Sequence, residues 1–277
     1  MYNDFKSYNS KSCRSGGFFD VMGKVICISN QKGGVGKTTS VNAIALGLKH
    51  KGYRVLCVDF DPQGNLSFSL MADNRVELQN SIYHVMKKQL RAIQTIQHTE
   101  LMDIIPSNIL LSGIELEFTS TGREYILRDA LSPLIPDYDY IIIDTPPALG
   151  ILTVNAFTAA DIIIMPVLSD LFSLQGIVQL SDTVRRVKER SNPGLVPAGV
   201  FLTRYNPREY VSRVIRESTA EITQKLGIPF LSTSIRNSSV MSKVQILRKN
   251  MFNYAPRNHA VNDYLSLIDE LFEGGYL

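Results

Sequence analysis

The sequence is short of three features, and each shortage narrows the field. No apolar run approaches the ~18 residues that a helix needs to cross a bilayer, so a membrane-spanning chain is not expected. The first residues lack the apolar core of a secretory signal peptide. Cysteine is scarce: three in 277 residues cannot build a disulfide framework. Cys27 and Cys57 fall in predicted core strands and read as small buried hydrophobes, while Cys13 lies in a polar leader. Three scattered thiols also cannot hold an iron–sulfur cluster without unusual ligands. A reducing cytoplasm fits this usage.

Core material is plentiful. With 44% hydrophobic residues, the chain can bury one large α/β domain or two small ones. Residues 1–20 carry Ser, Asn, Gly and Lys with little periodicity, which reads as disorder. Met22-Gly23-Lys24, directly before the first apolar run, looks like a natural start. The expected organisation is therefore a leader or extension over 1–21 and a single domain over 22–277.

The domain is organised around Asn30-Gln31-Lys32-Gly33-Gly34-Val35-Gly36-Lys37-Thr38-Thr39. The loop follows an apolar strand, Val25–Ile28, and precedes Val41, Ile44, Ala45 and Leu48 at helical spacing. Strand, glycine-rich loop, Lys-Thr and helix together form a phosphate-binding P-loop. Glycines let backbone N–H groups approach phosphate oxygens, and the helix adds its positive dipole end. Lys37 would reach the β- and γ-phosphates, with the Thr38 hydroxyl on Mg²⁺.

Two further strands end on acids. Arg54–Val58 runs into Asp59-Phe60-Asp61-Pro62-Gln63-Gly64-Asn65, and Ile141-Ile142-Ile143 runs into Asp144. In parallel α/β sheets, ligands bind at the C-terminal ends of the strands, so these carboxylates face the phosphate pocket. Asp144 closes a Walker B strand and would hold Mg²⁺ through a water.

The P-loop is not of the common form, because Gln31 replaces a glycine and a second lysine, Lys32, opens the loop. The Lys-Gly-Gly-Val-Gly-Lys-Thr string, the Asp-Phe-Asp-Pro-Gln-Gly-Asn stretch and the Walker B strand occur in order. Over roughly residues 22–271 the chain resembles the ParA/Soj branch of the deviant Walker A ATPases, the class that also holds MinD and the nitrogenase iron protein. The cysteine usage sets the nitrogenase-like members aside. The resemblance implies a doubly wound, mainly parallel α/β sheet with helices on both faces, binding ATP and Mg²⁺. It implies catalytic roles for Lys32, Lys37 and Asp61, with Lys32 reaching the nucleotide of a partner subunit and Asp61 orienting water. It implies nucleotide contacts from Lys32, Gly33, Gly34, Val35, Gly36, Lys37, Thr38 and Thr39, with Asn206 at the adenine. Metal contacts fall to Thr38, Asp59 and Asp144.

Charge is unevenly spread. From Arg185 to Arg257 there are 14 Lys/Arg against four acids, while the remainder is acidic. Such asymmetry suggests a face for nucleic acid, or a solvated surface that balances the rest. Arg208, Arg213 and Arg216 lie on a helix predicted over Pro207–Leu226, followed by Arg236, Lys243, Arg248 and Lys249. The family binds DNA through this region once dimerised, which the resemblance carries to Arg208, Arg236 and Lys249. Here Ile235 replaces a family proline and Ser239 a second arginine. Each basic residue taken singly serves equally as a surface ion pair.

The final helix, His259–Phe272, places Val261, Tyr264, Leu265, Ile268 and Leu271 on one side and is acidic elsewhere. That is the wrong sign for the basic membrane-binding helix of MinD-type proteins, so a packed core helix is expected.

The leading expectation is a cytoplasmic, nucleoid-associated partition ATPase. It would form an ATP-dependent homodimer, bind double-stranded DNA nonspecifically and be stimulated by a ParB-like centromere-binding protein, without using the membrane. Weighed beside it are a positioning ATPase for a protein cargo, a MinD-like membrane switch and a non-catalytic DNA scaffold.

Overall fold

Strands that are apolar at consecutive positions must be buried on both faces, and this decides the architecture. The computed structural model describes residues 23–117, 121–170 and 173–277; the leader expected over 1–21 and the start at Met22 lie outside the described residues. In chain order the elements are β1 (Lys24–Ile28), α1 (Lys37–His50), β2 (Val55–Asp59), α2 (Asn65–Ser69), α3 (Ile82–Met86), β3 (Gln97–His98), β4 (Asp103–Ile105), α4 (Ile114–Glu117) and α5 (Ile126–Leu131). There follow β5 (Tyr140–Asp144), α6 (Ile151–Ala159), β6 (Ile162–Leu168), α7 (Ser173–Arg190), β7 (Val196–Thr203), α8 (Tyr210–Leu226), α9 (Ser239–Ile246), α10 (Met251–Tyr254) and α11 (His259–Glu273).

The strands form one sheet in the order β3-β4-β2-β5-β1-β6-β7. All neighbours are parallel except β3, which pairs antiparallel with β4. Side chains alternate between the two faces. Ile26, Ile28, Cys57, Ile142 and Ile164 face the layer containing α1, α9, α10 and α11. Val25, Cys27, Val58, Ile143 and Ile163 face the layer of α3, α5, α6 and α7. The expected doubly wound sheet is what the chain forms.

α1 and α11 pack closely because Gly47 has no Cβ: one placed there would lie 2.3 Å from Cδ1 of Ile268. Val261, Tyr264, Ile268 and Leu271 are buried, as the apolar side of the last helix requires. The Tyr264 hydroxyl bonds to Ser40 at 3.0 Å, linking this helix to the first turn of α1.

Two stretches depart from the sequence expectation. The mixed helical pattern of Ile82, Val85, Met86, Leu90 and Ile93 predicts surface helices within Arg75–Glu100; these reduce to α3 and a 3₁₀ turn at Ala92–Thr95, and Gln97–His98 pairs as a strand. Lys88 takes a left-handed backbone, φ 57°, and stops α3 after five residues. Ile126, Leu127 and Leu131 on one face predict a helix over Gly122–Ile135, which is instead split into 3₁₀, α and 3₁₀ pieces, with Pro133 and Pro136 in the last of them. A proline lacks the N–H that a continuing α-helix needs.

Strand order reverses at β1, since the chain runs to β2 on one side and to β6 and β7 on the other. Asp59, Asp144, Leu168 and Thr203 are the last residues of their strands, Asp59 in register with Asp144 and Leu168 with Thr203, all at the C-terminal edge of the sheet. This crevice is the ligand position for such a sheet.

Candidate active site

The loop from β1 to α1 turns through two left-handed glycines, Gly34 at φ 74° and Gly36 at φ 92°. A Cβ at Gly34 would meet nothing within 4 Å, so this glycine is needed for its left-handed backbone and not to avoid contact. Thr203 at the end of β7 donates its hydroxyl to the Val35 carbonyl at 2.8 Å, fixing the loop from beneath. Lys37 is buried and its Nζ donates to the Lys32 carbonyl at 3.2 Å. Burial lowers the Lys37 pKa, against the pull of the Asp144 and Asp61 charges.

Asp59 and Asp144 sit side by side in register on β2 and β5. Asp144 Oδ2 accepts from Thr38 Oγ1 at 2.6 Å, while its Oδ1 is buried with no hydrogen-bond partner. Burial, and then the charge of Asp59, push the Asp144 pKa well up. Asp59 Oδ2 accepts from both the N–H and the hydroxyl of Ser67, at 2.7 and 2.6 Å, and Oδ1 accepts from the Asp61 N–H at 3.3 Å. Burial raises the Asp59 pKa to about 6, although those hydrogen bonds oppose the rise. Asp61 lies in the turn beyond β2, where Oδ1 accepts from the Gln63 N–H at 2.9 Å. Gly64 closes the turn at φ 63°, and a Cβ there would lie 2.9 Å from the Ser107 carbonyl.

The two loop lysines face different ways. Lys32 Nζ leaves its own cleft to pair with Asp170 at 2.6 Å, and its side chain is 35% exposed. Its Nζ also lies 3.4 Å from the Ser173 hydroxyl. Burial alone would raise the Asp170 pKa, but the hydrogen bonds from Lys32 and Ser173 hold it below the usual carboxylate range.

Gly33, Gly34, Gly36, Lys37, Thr38, Thr39 and Asp61 line a single cleft of about 500 Å³. Phe68, Pro147, Arg204, Ser242, Gln245 and Ile246 complete its walls. A buried lysine, a glycine-rich loop, two carboxylates at strand ends and a third in the turn beyond β2 suit a bound polyphosphate with a hard cation.

Comparison with known proteins agrees with this geometry. An AAA domain family profile (AAA_31) matches residues 23–196. The sporulation initiation inhibitor protein Soj of Bacillus subtilis is 38% identical over 258 residues, spanning 92% of this chain and all of Soj. The chain belongs to the ParA/Soj family. The chromosome partitioning protein ParA of Myxococcus xanthus is 37% identical over 91% of this chain and 89% of its own. Among solved structures, a Mycobacterium smegmatis protein described as cobyrinic acid a,c-diamide synthase, with bound ATP analog and magnesium, superimposes with a TM-score of 0.79. It is 33% identical and covers 91% of this chain and 95% of its own.

In this ParA/Soj-family chain the remaining sequence candidates stand at several places. Asn206 is outside the cleft lining; its amide donates to Glu209 Oε1 at 2.8 Å and its carbonyl caps the Arg208 N–H. Arg236 forms a two-pronged pair with Asp263, its shortest contact 2.6 Å. Arg216 bonds to the Ser234 hydroxyl and the Ser232 carbonyl and lies over the Tyr205 and Phe230 rings. Arg248 stacks 3.9 Å from the Phe68 ring centroid at the cleft rim. Lys243 and Lys249 flank the Tyr254 ring at 6.0 and 5.5 Å. Arg208 and Arg213 are exposed on and just before α8.

Sequence reasoning passed over Ser67, Asp170, Thr203 and Arg204. Asp170 had a usable signal, a carboxylate just past the C-terminal end of a strand, the same rule that selects Asp59 and Asp144. Ser67 had none, since its role depends on α2 folding back onto β2.

The pH dependence of stability should expose the buried Asp59. Its folded pKa is raised, so the unfolded chain releases the proton first and this group costs stability as pH rises from about 4 to about 6. Asp59→Asn removes that cost. Relative to wild type, its stability should therefore climb across the same interval by on the order of 2 kcal/mol. Urea unfolding at several pH values checks this, and a wild-type-minus-variant difference flat with pH would refute it.

Proposed function

We propose that this ATPase works as a nucleotide-gated switch: ATP joins two copies across their clefts, the dimer binds DNA without sequence choice, and hydrolysis releases it. The observation that carries the reading is the divergence of the two loop lysines. Lys37 is buried beneath its own loop, whereas Lys32 turns away to pair with Asp170 and stays about one-third exposed.

The residues fit ATP with Mg²⁺. Asp144 Oδ1, buried and unpartnered beside Thr38 Oγ1, is the acceptor a metal-bound water needs. Among the described residues no cluster of three or more His, Cys, Asp or Glu forms a metal cage, and Mg²⁺ normally relies on substrate phosphates for much of its shell. Thr38 and Asp144 would hold the ion, and Asp59 would support them from the neighbouring strand. When bound, Mg²⁺ neutralises charge on the β- and γ-oxygens. The loop N–H groups and Lys37 bind the phosphates, Lys32 of the other copy completes the site, and Asp61 positions the attacking water. A site incomplete in the monomer turns over slowly, which leaves room for a ParB-like partner to accelerate it.

The basic segment from α8 to α10 supplies the DNA surface, with Arg208, Arg213, Lys243 and Lys249 as its most available cations. Arg236, Arg216 and Arg248 reach DNA only if their present partners release them. A cytoplasmic, nucleoid-associated location follows. A membrane switch is disfavoured because the apolar side of α11 is occupied by the core. Among the described residues neither thiol is placed to take an amide from glutamine, since Cys27 and Cys57 are buried within strands with their pKa values pushed up.

Sedimentation and retention on immobilised duplexes test the switch. ATP with Mg²⁺ should promote dimers and retention, similar for unrelated sequences and falling steeply with salt. Retention indifferent to nucleotide would end the reading, and a strong preference for one sequence would point to a repressor.

A further inference from the structure

Among the described residues, four non-glycine residues have a positive φ: Met71, Lys88, Arg204 and Arg248. Three of them share one explanation. Met71, Lys88 and Arg248 each stand two residues past the end of a helix, α2, α3 and α9. Each donates its N–H three residues back, to Phe68, Val85 and Gln245, while the next N–H reaches five back, to Ser67, His84 and Val244. This is the left-handed stop that helices commonly use.

Arg204 ends no helix. It follows β7 directly, at φ 52°. A long side chain in this region is strained, where glycine would be at ease. The backbone is pinned on both sides. Thr203 before it bonds to the Val35 and Val167 carbonyls, and Tyr205 after it donates its N–H to Ile235 and accepts from the Asn237 N–H. Between these anchors the Arg204 side chain is exposed and lines the cleft together with Gly36, Lys37, Thr38 and Thr39. Its guanidinium makes no hydrogen bond, ion pair or ring contact with any described residue. Asn206, two residues on, is turned away to Glu209.

We propose that Arg204 is a nucleotide-binding residue whose guanidinium contacts the phosphates of a bound nucleoside di- or triphosphate from the β7 side. The inference rests on the reading of the cleft as a nucleotide site. It adds a cation from a different strand to those of the P-loop. Guanidinium suits the task because it offers paired donors to phosphate oxygens and never loses its charge. The strained backbone is then the cost of aiming that charge into the cleft.

The test uses Arg204→Gly and Arg204→Lys in the full chain, with ADP and ATP titrated calorimetrically in the presence of Mg²⁺. Arg204→Gly should raise the melting temperature of the nucleotide-free protein by about 2–4 °C, because glycine relieves the left-handed strain. The same variant should bind both nucleotides about tenfold more weakly or worse, and Arg204→Lys should recover part of the loss. The deficit should shrink as salt rises. A residue serving only the turn would show the stabilisation without the loss, so affinities within about twofold of wild type overturn the proposal. A deficit insensitive to salt would move the contact to the base and overturn it as well. Lys37→Ala separates the two levels. If wild type itself binds neither nucleotide, the cleft reading fails. If wild type binds, Lys37→Ala does not and Arg204→Gly is normal, only the role of Arg204 falls.

Discussion

Asp61→Ala should bind ATP and dimerise while its kcat falls about 10²–10³-fold. The carboxylate is nearly buried, lies in the turn just past β2 and is held by the Gln63 N–H, with the Lys37 and Asp144 groups close enough to influence one another electrostatically. A side chain so placed can orient water and accept its proton as the bond to the γ-phosphate breaks. Its hydrogen bonds run to Asp59 and Gln63 within its own turn, so ground-state binding by the P-loop should survive its removal. Asp61→Asn keeps an acceptor for the Gln63 N–H and separates charge from turn geometry; it should be nearly as slow. The measurement is phosphate release at saturating ATP, paired with sedimentation on the same samples. Turnover at the wild-type rate would remove Asp61 from its role.

Lys32→Ala should bind ATP as a monomer within a few-fold of wild type, yet lose ATP-dependent dimers and DNA retention together. In the dimer each Lys32 would be desolvated against the partner's nucleotide. Truncating one member of such a charge pair typically costs about 2–5 kcal/mol. Two occur per dimer, so the dimer should weaken by at least about a hundredfold. In the monomer the same substitution removes a pair with Asp170 that is about one-third exposed on each side, worth at most about 1 kcal/mol. The expected asymmetry is thus a small change in melting temperature beside a large loss of assembly. Lys32→Arg keeps the charge but not the compact shape and should recover only part of it. Dimers formed normally by Lys32→Ala would show that the two clefts do not share this lysine.

Much of the fold was legible because the buried strands and the P-loop announce themselves locally. Val25–Ile28, Val55–Val58 and Ile141–Ile143 are apolar at every position, which only a sheet covered on both faces explains. Ile177, Leu180, Val184 and Val187 recur at helical spacing, and α7 forms where that pattern runs. The region from Arg75 to Ile135 was less legible. There the pattern is weak and the outcome depends on Lys88 turning left-handed, on two prolines, and on β4 lending an edge for β3 to pair with.

The same division runs through the site. Lys32, Lys37, Thr38, Asp59, Asp61 and Asp144 could be singled out as candidates from the sequence alone, because each belongs to a contiguous motif read from its spacing along the chain. The partners of these residues were decided only by tertiary structure. Asp170 meets Lys32 across 138 positions, Thr203 meets Val35 across 168, and Ser67 reaches Asp59 only when α2 folds back on its strand. Arg204 sits in no motif that marks it. Only the strand order, which sets β7 beyond β6 and beside the loop from β1, brings a strained, unpaired cation into the cleft. Short-range chemistry is written along the chain, whereas the electrostatic surroundings of that chemistry depend on which distant segments the sheet places next to it.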